Sequence, residues 1–505
     1  MARIPLKGGA YTARSVIANC QRSVNLYGEP NPEDAPCPFT YYPTPGLRLL
    51  ANAPTPAAGR GLYRASNGAL YAVVGANVYF VDPSYNWTKL GTLTTSTGQT
   101  SMADNQSTAV LVDGSAKGYT IQLASNAWAA ISSSAFYGAD RVAFQDTFFV
   151  FNKPSTGQFY VSGSNATTFD PLYFATKIGA SDRLATLAVV HRELWLLGDA
   201  ESSEIWINSG ATTFPFELMN GAFVQHGCGA KYSVAQMGDA IFWLGVDKQG
   251  GNVVLKGQGY QAERISTHAI ETALSSYSTT SDAIGYTYQQ EGHQFYVLTF
   301  PTADKTWCFD LITGQWHERV WLDTNGAEHR HRGVSAAYCY GSNIVQDWET
   351  GALYAFDLNT YTDNGTNIIR RRGFPHMGSN GNRVFYRQFI ADMEVGRAVG
   401  AMTQISYTLA TEGGALIGTE TGAILLAAEG ASAQPPALSL RYSDTRGAMW
   451  SDPITDDLGA SGDFLKSIQF QRLGMARDRV FELFWSGDVK TALNGAFIET
   501  TVAKS

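Results

Sequence analysis

The residue types best suited to metal chemistry are two histidines, His329 and His331, in the segment Ala327–Arg332. Alternate residues of a β-strand face the same side, so these two imidazoles could ligate one cation together. No third ligand is evident, and the interleaved Arg330 and Arg332 raise the local positive charge. An exposed polar hairpin is therefore the favoured interpretation. We predict no metal site and no cofactor.

The one basic run of the chain is Arg370–Arg372. Three charges supply only a small share of the phosphate contacts in a nucleic-acid footprint. We therefore interpret the run as a solvated or interface linker rather than as a DNA contact.

A further motif, Ser443–Trp450, resembles the Asp-box turn of sialidase-like propellers, S-x-D-x-G-x-T-W. Thr445 stands where the aspartate belongs, and Met449 where the threonine belongs. In that family the motif is a structural hairpin remote from catalysis, so the resemblance does not indicate an enzyme. The sequence also contains no phosphate-cradling Gly-rich loop, no G-x-S-x-G and no H-E-x-x-H. We predict no catalytic residues and no enzymatic activity.

The elements that position these side chains are predicted to be strands. The 505 residues include 51 Gly, 26 Phe, 25 Tyr and 11 Trp, and only 16% are charged, against about a quarter in an average globular protein. Aromatic and β-branched residues suit pleated, half-buried surfaces, and glycine suits the turns between them. The composition therefore predicts an all-β fold.

The formal net charge of −8 argues against a protein that grips duplex DNA, because tight binding draws on clustered Lys and Arg. The same charge would suit a surface past which DNA slides without binding, because a mildly acidic surface repels phosphates and so lowers friction. Basic patches on such a surface would contradict this hypothesis.

The cysteines are five in number and widely scattered: Cys20, Cys37, Cys228, Cys308 and Cys339. With no C-x-x-C pair, they indicate neither a disulfide framework nor a thiolate zinc site. The first residues contain no apolar run of signal-peptide length, and no stretch of about 18 apolar residues occurs. We expect a soluble protein made in a reducing cytoplasm, without membrane insertion.

One pattern recurs along the chain: an apolar strand, a turn of Asp, Asn, Ser or Gly, and an aromatic residue that opens another strand. The first four aromatics are spaced by 41, 41 and 45 residues. Four strands per unit of about 40 to 50 residues are typical of a propeller blade. We predict a β-propeller of about six or seven four-stranded blades over residues 58–368. The aromatic positions are Trp87, Trp128, Phe169, Phe214, Tyr260, Trp316 and Tyr361.

The two ends of the chain differ from this repeat. Residues 1–57 are rich in Pro, Gly and Asn, which predicts an extended arm with little core of its own. The segment Leu47–Leu50 is expected to pair with the last blade, near Leu353–Phe356, and so to close the ring. Residues 369–505 show longer alternating strands, which predict a C-terminal β-sandwich-like domain with a flexible insertion near 412–436. Helix is scarce, and His268–Leu274 is the best candidate.

Several segments resemble the packaged-DNA stabilisation proteins, also called tail nozzle proteins or tail accessory factors, of short-tailed bacteriophages. They span nearly the whole chain in the expected order. These segments are Ser23–Tyr27, Pro43–Leu47, Gly227–Ala230, Ala240–Gly245, Arg264–Glu271, Glu291–Pro301, Thr306–Trp307, Trp316–Arg319 and Leu473–Glu482.

The resemblance implies a virion protein that forms a homo-oligomeric ring, hexameric in the relatives. Such a ring attaches below the portal and adaptor rings and continues the channel for double-stranded DNA, without sequence-specific binding. It meets the tail fibres or tailspikes, and with a plug or needle it retains the packaged genome until ejection. The alternatives are a carbohydrate-binding or sialidase-like propeller that acts in receptor recognition, and a kelch-like interaction scaffold.

Overall fold

Strands dominate the computed structural model, which contains one helix among the residues that it describes. The structure describes residues 1–247, 249–395, 405–408, 426–429, 437–458 and 467–503.

The first 51 residues form short strands, four of which pair with segments far along the chain. They are β1 (Ala2–Arg3), β2 (Tyr11–Thr12), β3 (Cys20–Gln21), β4 (Ser23–Val24), β5 (Leu26–Pro30), β6 (Phe39–Pro43) and β7 (Gly46–Ala51).

Blades 1 to 4 each use four consecutive antiparallel strands joined by short turns. Blade 1 holds β8 (Gly59–Arg64), β9 (Leu70–Val74), β10 (Asn77–Val81) and β11 (Trp87–Thr92); blade 2 holds β12 (Ser101–Asp104), β13 (Thr108–Val112), β14 (Gly118–Gln122) and β15 (Ala127–Ala130); blade 3 holds β16 (Val142–Gln145), β17 (Phe148–Asn152), β18 (Gln158–Ser162) and β19 (Phe169–Thr176); blade 4 holds β20 (Leu184–Val190), β21 (Glu193–Gly198), β22 (Ser203–Asn208) and β23 (Phe216–Val224).

Blades 5 to 7 follow the same plan with local changes. The innermost strand of blade 5 is split in two, and blade 7 supplies only three strands of its own. Blade 5 holds β24 (Gly227–Cys228), β25 (Ala235–Met237), β26 (Ala240–Val246), β27 (Asn252–Gln258) and β28 (Gln261–Arg264), followed by α1 (His268–Ser275); blade 6 holds β29 (Ile284–Gln290), β30 (His293–Phe300), β31 (Lys305–Asp310) and β32 (Gln315–Glu318); the hairpin β33 (Val320–Leu322) and β34 (Glu328–Arg330) leads to blade 7 with β35 (Gly333–Cys339), β36 (Ser342–Asp347) and β37 (Leu353–Asp357).

The predicted propeller is confirmed, and in the described chain it has seven blades. A separate apolar cluster fills each space between neighbouring blades, including the space between blades 7 and 1, where Ile344 and Leu353 pack with Leu70 and Ala72. One blade cannot bury both of its faces alone, so the stack is stable only when the ring closes.

The ring closes through the N-terminal segment. Strand β7 becomes the outermost strand of blade 7 and pairs antiparallel with β37, with Leu47 opposite Phe356 and Gly46 opposite Asp357. This is the pairing that the sequence predicts for Leu47–Leu50. Helix α1 also forms where it is predicted, and the Thr267 side chain caps it by accepting a bond from the Ile270 amide.

The strands after blade 7 are β38 (Thr362–Asp363), β39 (Thr366–Asn367), β40 (Arg370–Gly373), β41 (Met377–Gly378), β42 (Val384–Val395), β43 (Ile405–Thr408), β44 (Leu426–Glu429), β45 (Ala437–Ser443), β46 (Ile454–Asp457), β47 (Ile468–Gln471), β48 (Met475–Ala476), β49 (Asp478–Trp485) and β50 (Thr491–Val502). Strands β38 and β39 continue the sheet of blade 7 beyond β7, and β43 and β44 form a separate pair. The other strands build a β-sandwich with strands of the N-terminal segment, as predicted. One sheet has the order β47-β42-β50-β6-β5, and the other runs β4-β40-β49-β45-β46. Their facing sides form one apolar core.

The N-terminal segment is woven into the sandwich. Ile4, Leu26, Phe39 and Tyr41 belong to the sandwich core and are at most 4% exposed. Strand β4 pairs with β32 on one side and β40 on the other, so the sheet of blade 6 continues into the sandwich as ten strands. The boundaries predicted at residues 57 and 368 are therefore crossed by strand pairing. The predicted insertion near 412–436 lies outside the described residues, except for β44, which pairs with β43.

Candidate functional site

His329 and His331, weighed above as possible ligands of one metal ion, make separate contacts. His329 directs Nδ1 at Asp304 Oδ2, at 2.7 Å, and this bond raises the pKa of His329. His331 is fully buried, and burial together with the charges of Arg319 and Arg332 lowers its pKa well below the ordinary range. The expected exposed hairpin is therefore wrong for His331. No group of three His, Cys, Asp or Glu in the described residues could hold a metal.

His331 belongs instead to the site where the ring closes. Its Nε2 lies 3.0 Å from Nη2 of Arg319, and the same Nη2 donates to the carbonyl of Pro45, directly before β7, at 3.1 Å. A second nitrogen of Arg319 donates to the Tyr288 hydroxyl at 3.2 Å. A neutral imidazole can accept the bond from the guanidinium. Arg319 therefore fixes the segment that leads into the closing strand.

The basic run Arg370–Arg372 is part of strand β40, where the propeller meets the sandwich, so the solvated alternative of that interpretation is wrong. Arg370 and Arg372 are fully buried. Arg372 lies over the ring of Tyr41 and donates to the carbonyl of Leu6 at 3.0 Å. Successive residues of a strand point to opposite faces, which leaves Arg371 on the other side.

Arg371 joins a network of charges, which we call the junction network, between the propeller and the sandwich. It donates to Glu328 at 2.9 Å and to Glu482 at 3.0 Å. Arg22 donates to the same Glu328 at 3.1 Å and to Glu318 at 2.7 Å. Burial alone would raise the pKa of Glu328, but Arg22 and Arg371 outweigh it and lower that pKa. Arg441 completes the set by donating to Glu482 at 2.8 Å.

The junction network stabilises one relative position of blade 6, the N-terminal segment and the sandwich. Its charged groups come from all three parts, and each glutamate except Glu318 serves two arginines. Every arginine of the network therefore has a carboxylate partner. The arrangement is suited to mechanical coupling of the three parts.

The sequence patterns do not predict the junction network, although one residue in them indicates a buried ion pair. Glu482 lies between Phe481 and Leu483 in the apolar strand β49 and is 1% exposed. A carboxylate in such a strand requires a buried cationic partner. Its partners Arg371 and Arg441 are far away in sequence, so their identity could not be read from the strand.

The turn at Ser443–Trp450 is structural, as its resemblance to the Asp box implies. The Ser443 hydroxyl accepts a bond from the Gly447 amide at 2.8 Å, and that of Thr445 accepts one from the Met449 amide at 2.7 Å. Asp444 pairs through both oxygens with Arg479, at 2.5 and 2.7 Å.

The innermost strands of the blades lie around the propeller axis, where several of them contact their neighbours. Two cavities of about 210 and 350 Å³ share Tyr63, Met102 and Arg141 in their linings. Arg141 donates to the carbonyl of Val234 at 3.0 Å, and Tyr63 donates to Asp104 at 2.7 Å. These groups bond to one another or to backbone.

The fold and these contacts agree with a comparison against protein families. Residues 2–361 match the phage stabilisation family (Phage_stabilise), described as "Bacteriophage P22 Gp10, beta-propeller". The chain belongs to this family. It is a bacteriophage structural protein and a virion component with a propeller fold. The family match ends at Tyr361, directly before β38, so it covers the closed propeller of this phage stabilisation protein and the N-terminal strands of its sandwich.

Solved structures with similarity to this phage stabilisation propeller include three unrelated by sequence. The N-terminal domain of Nup159 has a TM-score of 0.40 at 10% identity, covering 66% of this chain and 98% of that one. The Mitotic Checkpoint Complex gives 0.42 at 12%, covering 65% and 95%. The WD40 β-propeller domain of Doa1 gives 0.40 at 10%, covering 62% and 97%. A search of the curated proteins finds no matching sequence. The described residues contain no helix long and apolar enough to cross a membrane.

Proposed function

We propose that this phage protein is a tail nozzle subunit. Copies form a ring, with six subunits as the family resemblance implies, below the portal and adaptor rings. The ring continues the channel for double-stranded DNA, contacts fibre or tailspike and plug proteins, and helps to retain the packaged genome until ejection. The DNA passes without sequence-specific contacts, and the subunit carries out no catalysis.

The observation that carries this proposal is the ten-stranded sheet that runs from blade 6 through β4 into the sandwich. It makes a closed propeller and a sandwich into one stiff unit, and the junction network adds partly buried ion pairs across the same boundary. A conduit under the pressure of packaged DNA needs subunits that do not hinge. Family membership supplies the phage context.

The test is a phage that lacks this protein. We expect its heads to fill with DNA and then lose it, so that the DNA becomes sensitive to DNase, and we expect addition of the purified protein to restore protection. Negative-stain images of the repaired particles should show a ring below the portal.

Heads that retain protected DNA without the protein would contradict the proposal. Specific binding of the purified protein on a glycan array, with no effect on DNA retention, would favour the carbohydrate-binding alternative.

A further inference from the structure

A basic surface lies on the outer side of the sandwich sheet that contains β42. Arg383, directly before β42, and Phe385 and Arg387 within it have exposed side chains. The intervening Val384 and Tyr386 face the core. This alternation is the ordinary two-residue period of a strand with one buried face. The surface is therefore built on the same strand that supports the sandwich core.

The neighbouring segment extends this surface. Met475 lies directly opposite Phe385 in the ladder, and the two side chains are 39% and 46% exposed. The Arg472 amide donates to the Arg387 carbonyl at 3.0 Å, and Arg477 donates to the carbonyl of Gly381 at 2.8 Å. We call this surface the arginine face, which comprises Arg383, Arg387, Arg472 and Arg477 around Phe385 and Met475.

The charges of the arginine face are unbalanced. None of its four arginines forms a salt bridge with a carboxylate of the described residues, whereas those of the junction network are all paired. The whole chain carries a formal net charge of −8, so the remainder of the surface is more acidic still. An identical copy therefore offers acidic surface to this face.

The residue types favour a protein partner over DNA. Arg, Met and aromatic residues are enriched at the centres of protein interfaces. An apolar centre adds nothing to a contact with phosphates, which positions a protein on DNA through charge and hydrogen bonds. Phe385 and Met475 occupy the middle of the arginine face, between its two pairs of arginines.

A complementary surface lies at the outer edge of blades 3 and 4. Leu172 and Ile178 are 76% and 68% exposed, and Phe174 and Phe223 are 42% and 43% exposed. Ile178 is held in place because its amide and that of Gly179 donate to the buried carboxylate of Glu204. We call Leu172, Phe174, Ile178 and Phe223 the apolar rim.

The charges beside the apolar rim are mostly negative. Asp170, Asp199 and Glu217 are exposed there, against Arg183. Blades 6 and 7 carry the connections to the sandwich. Blade 3 is separated from each of them by two other blades. The two surfaces are therefore different patches on distant parts of the subunit. A ring needs this arrangement, because a heterologous contact joins two different patches and repeats around the axis.

We propose that the arginine face of one copy docks on the apolar rim of the next copy. This inference rests on the proposed ring and names its subunit contact. Phe385 and Met475 pack against the apolar side chains of the rim, and the surrounding arginines pair with Asp170 and Glu217.

The experiment is a charge reversal with rescue, measured by sedimentation of the full chain. The variant Arg383→Glu/Arg387→Glu is expected to weaken subunit association by at least ~10-fold. Combining it with Asp170→Lys/Glu217→Lys should restore most of the association, because opposite charges again face each other. The matched control Lys89→Glu/Lys117→Glu changes the net charge equally, at exposed lysines of blades 1 and 2, and should associate as wild type.

Thermal midpoints within a few degrees of wild type will show that the variants fold. Should the charge variants melt early, Phe174→Ser/Ile178→Ser, in exposed positions, provides a second test and should weaken association similarly. Normal association of the arginine variant, or no rescue by the combined variant, would overturn the proposal. So would loss of DNA binding in a gel-shift assay with association intact, which would make the arginine face a DNA contact.

The outcomes separate this inference from the proposed function. If the wild-type chain stays monomeric while heads without it lose DNA, the docking contact is contradicted and the proposed function is supported. If rings form through the arginine face but heads retain DNA in the absence of the protein, the docking contact is supported and the proposed function is contradicted.

Discussion

At the residue scale, the buried pair of His293 and Asp310 connects blade 6 to the N-terminal segment. The two side chains are 2.8 Å apart, and the ring of Tyr27 packs edge-on against His293 at 4.9 Å. The bond to Asp310 raises the pKa of His293, with smaller effects from Glu29 and Glu291. Burial would raise the pKa of Asp310, but its bonds to His293 and to a nearby threonine outweigh burial and lower it.

These shifts give a pH window for the pair. The part due to His293 is fully present below its ordinary pKa of about 6.5 and is lost as pH rises through the raised value. The part due to Asp310 is fully present above about pH 4 and is lost as pH falls through the lowered value. We expect His293→Gln to reduce the free energy of unfolding by about 1.5–3 kcal/mol at pH 5.5, and by less at pH 8.5.

Urea unfolding at the two pH values measures this difference. The control is His191→Gln, because His191 pairs with Asp239 at the surface, where both side chains are more than half exposed and such pairs contribute little. An equal loss of stability at both pH values would show that His293 contributes packing only.

At the element scale, strand β7 determines whether the ring closes. Gly46 begins this strand, and a Cβ at its position would overlap the carbonyl group of Thr360. We expect Gly46→Ala to destabilise the protein by about 1–3 kcal/mol, since backbone must move to make room. The effect should be local, with faster amide hydrogen exchange in Tyr354–Phe356, which lie opposite β7.

Hydrogen exchange followed by mass spectrometry checks this expectation. Gly157→Ala is the matched control, because a Cβ there meets its neighbours only at ordinary contact distances of 3.7 Å. Unchanged exchange in blade 7 of the Gly46 variant would mean that closure does not depend on the start of β7.

At the scale of the whole molecule, the N-terminal segment joins the two parts of the protein. It contributes β1, β5 and β6 to one sheet of the sandwich and β4 to the other, and β7 to the propeller. Deletion of residues 1–43 retains β7 but removes core residues such as Leu26 and Tyr41. We expect the remaining chain to bind the dye ANS strongly and to be cleaved by trypsin after residue 373, while blades 1 to 5 resist.

The control replaces the exposed loop Arg14–Ala18 with Gly and Ser, which leaves every one of these strands in place. It should behave as wild type in both assays. A truncated chain with a protease-resistant sandwich would show that the N-terminal strands add little to that core.

The sequence by itself determined the propeller. The strand, turn and aromatic pattern is local, and each aromatic position lies at or beside the start of a fourth strand in blades 1 to 6. In blade 7 the fourth strand is β7, from the N-terminal segment. Tyr361 therefore does not begin the fourth strand of its blade, and it precedes β38, which pairs on the outer side of β7. The spare strand Leu47–Leu50 was predictable because ring closure requires one more strand than the last repeat supplies.

Only the tertiary structure decided which charged residues are buried. Arg370–Arg372 looks solvated in sequence, yet the strand period and the partners Glu328 and Glu482 place it inside the junction. Arg383 and Arg387 look no different, yet no described carboxylate reaches them. Burial of a charge depends on partners brought from distant parts of the chain, and local patterns carry no information about those partners.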